Sequence, residues 1–186
     1  MDIQSIIAEA DLLVPNEIPE ADKLLWINSI NQDFFNVVKI PKIARFACVA
    51  SQADYILPDD VRSKNIDLLM VGLFRYQSLE SDLVIPTQNM YSFDDVSHTL
   101  SLFPAPYSSD QQGVLRYRRI ATTTYTTSNL TAAPDAPEEY HWTYIPALAV
   151  FLALAQDDGV KAANYEAQYK SAWNAAAQNY QNGVGE

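Results

Sequence analysis

One change of hydrophobic period, followed by its reversal, limits what this chain can fold into. Across Asp2–Phe34 apolar residues recur at the i, i+3, i+4 spacing of a helix, whereas across Ile43–Thr127 they follow the two-residue period of half-buried strands. Helical spacing returns beyond the linker Ser128–Pro137. We therefore predict an α+β fold: a helical bundle of two N-terminal and two C-terminal helices, with a central antiparallel, β-sandwich-like insertion.

Pro41 and the linker set the predicted domain boundaries. Residues 1–42 and 134–186 are expected to form one helical domain, and residues 43–133 an inserted β domain. A chain of this length buries roughly 70% of its unfolded surface, so neither a disulfide nor a metal is needed to stabilise it. Cys48 is the only cysteine and lies in an alternating apolar run, which predicts a core residue.

Four helices are predicted, two at each end of the chain. In the third, Pro146 either kinks the helix or marks a later start with Thr143 as N-cap, and the sequence leaves both open. The predicted helices are Asp2–Val14, Pro19–Lys39, Tyr140–Ala155 and Val160–Gln181.

The β segment predicts a set of short strands. Gly72 lies inside the longest run and indicates a bulge or bend there. Thr99–Phe103 and Val114–Ile120 flank the loop Pro104–Gly113 and are expected to pair as a hairpin, while Thr122–Thr127 continues the sheet or forms its exposed edge. The predicted strands are Ile43–Ser51, Tyr55–Pro58, Asn65–Leu79, Leu83–Ile85, Asn89–Phe93, Thr99–Phe103, Val114–Ile120 and Thr122–Thr127.

Charge divides the chain in the same places as hydrophobic period. Residues 1–41 and residues 135–186 each hold seven acidic and two basic residues, whereas the residues between them hold nine acidic and eight basic ones. The whole chain is at −11. A net negative charge argues against binding to nucleic-acid phosphates, but it is compatible with a surface that DNA passes without binding. Basic residues concentrated on the β segment favour assembly over catalysis.

Side chains that carry out catalysis or bind metals are few. His98 and His141 lie in different predicted elements, and five scattered glycines form no phosphate loop. Paired acids can exchange protons or bind calcium, but these pairs lie where turns or helix caps explain them. We therefore expect no enzyme activity, no cofactor and no metal. The acidic pairs are Asp59-Asp60, Asp94-Asp95, Glu138-Glu139 and Asp157-Asp158.

Two clusters are candidates for contacts with other elements or chains. Arg116, Arg118 and Arg119 form the basic cluster, and acidic residues on a neighbouring strand or subunit are their expected partners. Tyr125, on the predicted sheet edge, is a further candidate for the subunit interface. The fourth helix carries an i, i+4 aromatic stripe that predicts a helix-packing or docking face: Tyr165, Tyr169, Trp173 and Tyr180.

Several segments match a recurring pattern when taken in order along the chain. The pattern comprises a leucine-proline-aspartate stretch, a strand followed by proline, a glycine followed by an aromatic strand, and a proline-acid entry into the third helix. It resembles the head-to-tail adaptor (head completion) proteins of tailed bacteriophages, especially the elaborated, tail-tubular-like members. The matching segments are Tyr55–Asp60, Ile66–Tyr76, Leu100–Pro106, Gly113–Tyr117, Pro134–Pro137 and Glu139–Trp142.

The resemblance implies a structural virion protein of the neck, between capsid and tail, present in the host cytoplasm during assembly. It implies a homo-oligomeric, twelvefold ring that binds the portal protein and the next neck or tail protein, and that extends the DNA channel for retention and ejection of DNA. DNA would pass without specific binding. The stripe Tyr165–Tyr180 would then be a candidate for portal docking. No membrane contact is expected, since the apolar run Tyr144–Ala155 is too short to span a bilayer.

Two other interpretations remain open. The chain is alternatively another neck or tail component, such as a tail terminator or fibre adaptor, which would contact tail proteins and not the portal. Otherwise it is a small β-rich ligand-binding domain or hydrolase, for which Asp59 and Asp94 are the residues to test.

Overall fold

A computed structural model describes residues 1–79 and 88–182. Within them the α+β prediction is confirmed, because four α-helices accompany a curled, seven-stranded mixed sheet. The chain divides into two compact units. Met1–Lys39 with Ala121–Glu186 form the helical unit, and Ile40–Ile120 form the β unit. These boundaries fall at 39/40 and 120/121, compared with 42/43 and 133/134 expected from the sequence.

The first two predicted helices are present as α1 (Ile3–Leu13) and α2 (Glu20–Val38). Asp2 caps α1, since its carboxylate accepts a hydrogen bond from the Ser5 amide at 2.8 Å. α2 ends where Lys39 adopts a left-handed conformation, with φ of 53°. A side-chain cap therefore marks the start of α1, and a left-handed residue marks the end of α2.

The C-terminal helices are preceded by a 3-10 helix at Glu138–Thr143. α3 (Tyr144–Ala155) starts late, so Pro146 lies in its first turn, where no backbone N–H is required. This settles the question that the sequence left open. α4 (Gly159–Asn182) matches the fourth predicted helix. α3 packs against the other three helices, and α2 also packs against α4.

Aromatic pairs hold the helices of the helical unit together. Trp26 of α2 stacks on Phe151 of α3 with ring centroids 5.6 Å apart. Phe34 of α2 meets Trp173 of α4 edge-on at 5.4 Å. Pairs of this geometry add to the stabilisation from buried apolar area. The face of α2 that carries Phe34 is therefore fixed against α4.

The β unit contains a single sheet with strand order β1-β7-β3-β4-β5-β6-β2. Neighbouring strands are antiparallel except β4 and β5, which run parallel, so the prediction of a fully antiparallel insertion is wrong at that pair. The predicted strand Leu83–Ile85 lies outside the described residues. The strands are β1 (Pro41–Ala47), β2 (Asp54–Ile56), β3 (Ile66–Val71), β4 (Phe74–Ser78), β5 (Met90–Asp94), β6 (Thr99–Phe103) and β7 (Gln112–Arg118).

The sheet also differs from the prediction in one strand and in one pairing. The run Asn65–Leu79 is not one bent strand, since β3 and β4 form a hairpin that turns at Gly72-Leu73. Gly72 has a φ of 59° at the first central position, as a type II′ turn requires. The expected hairpin between Thr99–Phe103 and Val114–Ile120 is absent, because β6 pairs with β2 and β5, whereas β7 pairs with β1 and β3.

The Thr-rich segment Thr122–Thr127 is not a strand, contrary to prediction. Its backbone amides are satisfied by side chains, because those of Thr122 and Thr123 both donate to Asp135 Oδ2 at 2.8 Å. A sheet partner is therefore unnecessary for these groups. Within the described residues, β1 and β2 form the two edges of the sheet.

The curled sheet encloses one apolar core. Leu115 and Tyr117 of β7 meet Leu100 of β6 and Tyr55 of β2 in this core, so strands from both ends of the strand order contribute to it. Cys48 lies in the same core at 1% exposure, as predicted, and burial raises the pKa of its thiol. One curled sheet therefore supplies both walls that a sandwich builds from two sheets.

Candidate functional site

Arg116 and Arg118 lie on the side of β7 that faces away from the core. Leu115 and Tyr117 are fully buried on the other side, at 0% exposure each. Successive strand residues point to opposite faces, so the predicted alternation of this strand is confirmed. β7 is paired on both sides, by β1 and β3. The arginines therefore lie within a sheet surface and not at an edge.

Cross-strand pairing surrounds Arg116 with apolar and cationic side chains. Ile43 is directly opposite it on β1 and is 51% exposed. The apolar neighbours Leu68, Met70 and Val114 are half-buried. We define the outer sheet face as the seven residues of two adjacent rows across the strands: Ile43, Arg116 and Leu68 in one row, and Arg45, Val114, Met70 and Arg75 in the other.

The three arginines of the basic cluster differ in their partners. Arg118 Nε donates to Asp67 Oδ2 on β3 at 2.8 Å, which is an ion pair with a neighbouring strand. The backbone amide of Arg119 donates to the carbonyl oxygen of Ile40 at 3.0 Å. Arg116 Nε is buried and has no hydrogen-bond acceptor among the described residues. A buried N–H without an acceptor is costly.

Tyr125 lies inside the helical unit at 1% exposure. Its hydroxyl donates to the carbonyl oxygen of Ala133 at 3.2 Å and accepts from the Asp135 amide at 2.9 Å. Burial raises the pKa of this phenol. The Tyr125 side chain is therefore part of the protomer's own packing, and its exposed neighbours Thr124 and Thr126 form the surface here.

Asp135 is a half-buried carboxylate that accepts hydrogen bonds from two distant segments of the helical unit. Besides the two threonine amides, it accepts Thr123 Oγ1 at 2.6 Å and Asn31 Nδ2 at 3.0 Å. Burial opposes its charged form, but the hydrogen bonds from Thr123, Asn31 and Thr122 outweigh burial, so the pKa of Asp135 is lowered. No local sequence pattern predicts these hydrogen bonds to Asp135, because the partners are far apart in sequence.

The aromatic stripe of α4 is divided between packing and surface. Trp173 is 3% exposed, and its Nε1 donates to Thr143 Oγ1 at 2.9 Å. Tyr169 packs against it edge-on, with ring centroids 4.7 Å apart. Tyr165 and Tyr180 are half-buried on either side. The stripe therefore fixes α4 at Trp173 and becomes accessible toward its ends.

A surface groove of about 320 Å³ lies between α2 and α4. Val37 is 39% exposed beside it, and burial raises the pKa of the Tyr169 phenol. This groove is where the stripe of α4 is open to another molecule. It is lined by Asp33, Asn36, Val37, Tyr169, Lys170, Trp173 and Asn174.

Exposed apolar side chains lie near the C-terminal ends of α1 and α3 and the N-terminal end of α4. Gln156 Nε2, just after α3, donates to the carbonyl oxygen of Pro15 at 2.7 Å. Tyr165 Oη in α4 donates to the carbonyl oxygen of Leu13 at 3.4 Å. We define the apolar helical end by four side chains near these contacts: Leu12 (75% exposed), Leu13 (40%), Leu154 (53%) and Val160 (79%).

Asp60 and His141, which were considered for catalysis, form hydrogen bonds within the fold. Asp60 accepts Lys42 Nζ and the Tyr117 hydroxyl, both at 2.7 Å. His141 is buried, with Nε2 2.8 Å from the carbonyl oxygen of Ala136. Across residues 1–79 and 88–182, no three His, Cys, Asp or Glu side chains are grouped to hold a metal ion. No described helix is both long and apolar enough to span a membrane.

The pair Asp94-Asp95 organises the turn after β5. Asp94 accepts the Ser97 hydroxyl at 2.7 Å and the Val96 amide at 2.9 Å, and these hydrogen bonds lower its pKa. Asp95 accepts the amide and the hydroxyl of Ser63, both at 2.7 Å. Turn formation therefore accounts for Asp94, whereas Asp95 joins the turn to the 3-10 helix Ser63–Asn65.

Comparison with known protein families identifies the family of this chain. A family model described as SU10 adaptor protein matches residues 1–185. The chain belongs to the SU10 adaptor protein family. This is a phage adaptor family, so the adaptor part of the resemblance inferred from sequence is confirmed. Comparison with curated proteins gave no match.

In this member of the SU10 adaptor protein family, the outward direction of Arg116 was predictable from the sequence, but its apolar neighbours on the outer sheet face were not. Alternation shows that the two faces of a strand differ, but it does not identify the rows that neighbouring strands form. Ile43 and Leu68 become neighbours of Arg116 only through the register of β1 and β3 against β7. The adaptor's outer sheet face is thus a product of long-range pairing.

Proposed function

We propose that this adaptor is a structural virion protein that forms a ring between portal and tail and extends the DNA channel. Its family supports the adaptor role. The observation that supports ring formation is the outer sheet face, where exposed and half-buried apolar side chains lie beside arginines. Exposed apolar surface with this pattern is typical of a protein contact. The proposed partners are further copies of the chain, the portal protein and the next neck or tail protein.

The charge of the helical unit supports a channel that DNA passes without specific binding. Its described residues include thirteen acidic and four basic ones, whereas those of the β unit include seven acidic and eight basic ones. A negative surface repels DNA phosphates and keeps DNA mobile. This favours a channel lined by helices, with the β unit in contacts between proteins.

The proposal includes no catalytic step, cofactor or metal. The carboxylates of Asp60, Asp94 and Asp95 are engaged in hydrogen bonds that organise the fold. We place the protein in the neck of the virion and assign portal docking to the groove between α2 and α4. The aromatic and polar lining of that groove suits an inserted side chain from another protein.

Light scattering and negative-stain microscopy test this proposal on the purified protein, alone and mixed with its portal protein. We expect rings, either from the protein alone or only on the portal, with twelvefold symmetry. A protein that remains monomeric and ignores the portal contradicts the proposal. Binding to tail proteins in the absence of portal binding would instead indicate a tail terminator or fibre adaptor.

A matched pair of variants tests the docking groove. Val37→Asp places a charge in the groove, whereas Gln32→Asp places the same charge on another exposed position of α2. We expect Val37→Asp to lose portal binding while Gln32→Asp retains it. Equal portal binding by both variants would remove the groove from the proposal.

A further inference from the structure

We propose that the outer sheet face of one protomer binds the apolar helical end of a second copy, and that this contact closes the ring. The inference rests on the ring proposed above and adds the two surfaces that meet. A ring of identical chains needs a heterologous contact, in which two different patches of the same chain pair. The outer sheet face and the apolar helical end are two such patches.

The sheet side of this contact combines apolar area with arginine side chains. Ile43 is more than half exposed, and Arg45 and Arg75 are exposed at the ends of the second row. The buried Nε of Arg116 has no acceptor among the described residues. A partner for this face therefore needs apolar side chains and carboxylates together.

The helical side offers carboxylates around its apolar side chains. Glu9 lies one helical turn before Leu12, and Glu17 lies in the loop after α1. Asp157 and Asp158 lie between Leu154 and Val160 of the apolar helical end. All four carboxylates belong to exposed residues.

The lysines in this part of the helical unit do not cancel the carboxylates. Lys23 is buried and forms an ion pair with Asp11, with Nζ 2.7 Å from Oδ1. Lys161 is the other lysine next to the apolar helical end, and it is outnumbered by the four exposed carboxylates. The surface is therefore apolar with a negative rim.

The outer sheet face is complementary to the apolar helical end, but neither surface is complementary to a second copy of itself. Two sheet faces in contact would oppose arginine to arginine, and two helical ends would oppose carboxylate to carboxylate. Sheet against helical end instead buries apolar area on both sides and brings carboxylates to Arg45, Arg75 and Arg116. Contacts of this composition gain affinity from the apolar centre and orientation from the charges.

DNA phosphates are the other polyanion that arginines attract. The apolar side chains of Ile43, Met70 and Val114 interrupt the arginines on this face. Phosphate binding gains nothing from them, whereas a protein partner gains buried apolar area. We therefore assign the face to a second copy of the chain.

Two charge-reversed variants test the inference in the full-length chain. The sheet variant carries Arg45→Glu and Arg116→Glu, and the helical variant carries Glu9→Lys and Glu17→Lys. Each variant alone should fail to form rings where the unaltered protein does so. A 1:1 mixture should restore rings with alternating subunits, because the reversed faces match each other and so do the unchanged ones. Native mass spectrometry with one variant tagged measures the alternation.

The controls are Lys64→Glu in the β unit and Glu139→Lys in the helical unit, both at exposed positions outside the two surfaces. They should assemble as the unaltered protein does, and circular dichroism should show that all four variants are folded. Rings from either charge-reversed variant alone, or a mixture that stays monomeric, overturn the assignment of surfaces while leaving the ring itself in place.

Two further results are separate from these. If the unaltered protein forms no ring with or without portal, the ring proposal and this inference both fail. If the sheet variant forms rings normally but loses retardation of DNA in a gel, the arginines serve nucleic acid and the inference is wrong.

Discussion

The side-chain amide of Asn28 and the main chain of Tyr125 exchange two hydrogen bonds. Asn28 Oδ1 accepts the Tyr125 amide at 2.7 Å, and Asn28 Nδ2 donates to the Tyr125 carbonyl oxygen at 2.9 Å. The Asn28 side chain therefore satisfies the backbone amide and carbonyl of Tyr125, as a neighbouring strand does in a sheet. This contact joins the segment after the β unit to α2, although the two residues are 97 positions apart in sequence.

Replacing Asn28 tests how strongly this pairing holds the segment. Asn28→Ala leaves the backbone groups of Tyr125 without partners, so we expect a loss of about 1–3 kcal/mol in the free energy of unfolding. Gln32→Ala, at an exposed position one turn later in α2, is the control and should change stability by less than about 0.5 kcal/mol. Urea denaturation measures both. Equal stability of the two variants would show that the pairing contributes little.

Two glycines give a matched test of close packing. A Cβ at Gly113 would lie 2.1 Å from Phe46 Cζ, whereas nothing lies within 4 Å of a Cβ at Gly159. Gly113→Ala must displace the Phe46 ring, which packs against Tyr55 at 4.8 Å between centroids, so we expect a loss of about 1–3 kcal/mol. Gly159→Ala should be neutral or stabilising by up to about 1 kcal/mol.

Thermal denaturation of the two glycine variants measures the difference. The double variant Gly113→Ala with Phe46→Ala should lose less than the sum of the two single changes, because the clash is removed with the ring. Additive losses in this cycle would contradict a direct contact between the two positions.

Asp135 makes stability depend on acidic pH. Its pKa is below the ordinary value of 3.8 in the folded protein, so its contribution is complete above that value and is lost as pH falls through the folded pKa. Asp135→Asn should cost about 1–3 kcal/mol at pH 7, because it replaces one of the two acceptor oxygens with a donor and removes the negative charge. The difference between the two proteins should shrink below pH 4. Urea midpoints from pH 7 to pH 3 measure it, and a constant difference would refute the assignment.

Buried tyrosines make stability depend on alkaline pH in the opposite direction. Burial is the first cause that raises the pKa of Tyr117 above 10, and its hydrogen bond to Asp60 adds to the effect. A raised folded pKa means that the contribution is intact below pH 10 and is lost as pH rises through the folded value. The Tyr117 phenol should therefore still be protonated above pH 10 in a titration at 295 nm. The other tyrosines whose pKa is raised are Tyr55, Tyr76, Tyr91, Tyr125 and Tyr169.

Tyr117→Phe provides the control for this titration. It removes one late-ionising phenol, so the loss of stability above pH 10 should be shallower than in the unaltered protein. The prediction is wrong if all eleven tyrosines ionise together near pH 10 while circular dichroism remains native.

The helices were predictable because their signals are local. The periodic apolar residues of α1 and of α4 lie within a few positions of one another. The outward direction of Arg116 was predictable for the same reason, since Leu115 and Tyr117 flank it. Each of these properties depends on neighbours in sequence.

The remainder depends on contacts between distant residues. The parallel pairing of Gln77 with Met90 and the separation of β6 from β7 follow from the curl of the sheet, for which the sequence contains no local sign. Thr122–Thr127 has strong β propensity, but Asn28 and Asp135 satisfy its amides, so tertiary contacts override propensity there. The apolar half of the outer sheet face was missed because it depends on register.

The β unit begins and ends on neighbouring strands. Pro41 pairs with Arg118, and the Arg119 amide donates to the Ile40 carbonyl oxygen at 3.0 Å. A hydrogen bond therefore joins the two ends of the β unit. Any module whose first and last strands pair in this way would bridge the same gap. Adjacent ends of this kind are the condition under which insertion of one domain into another is tolerated.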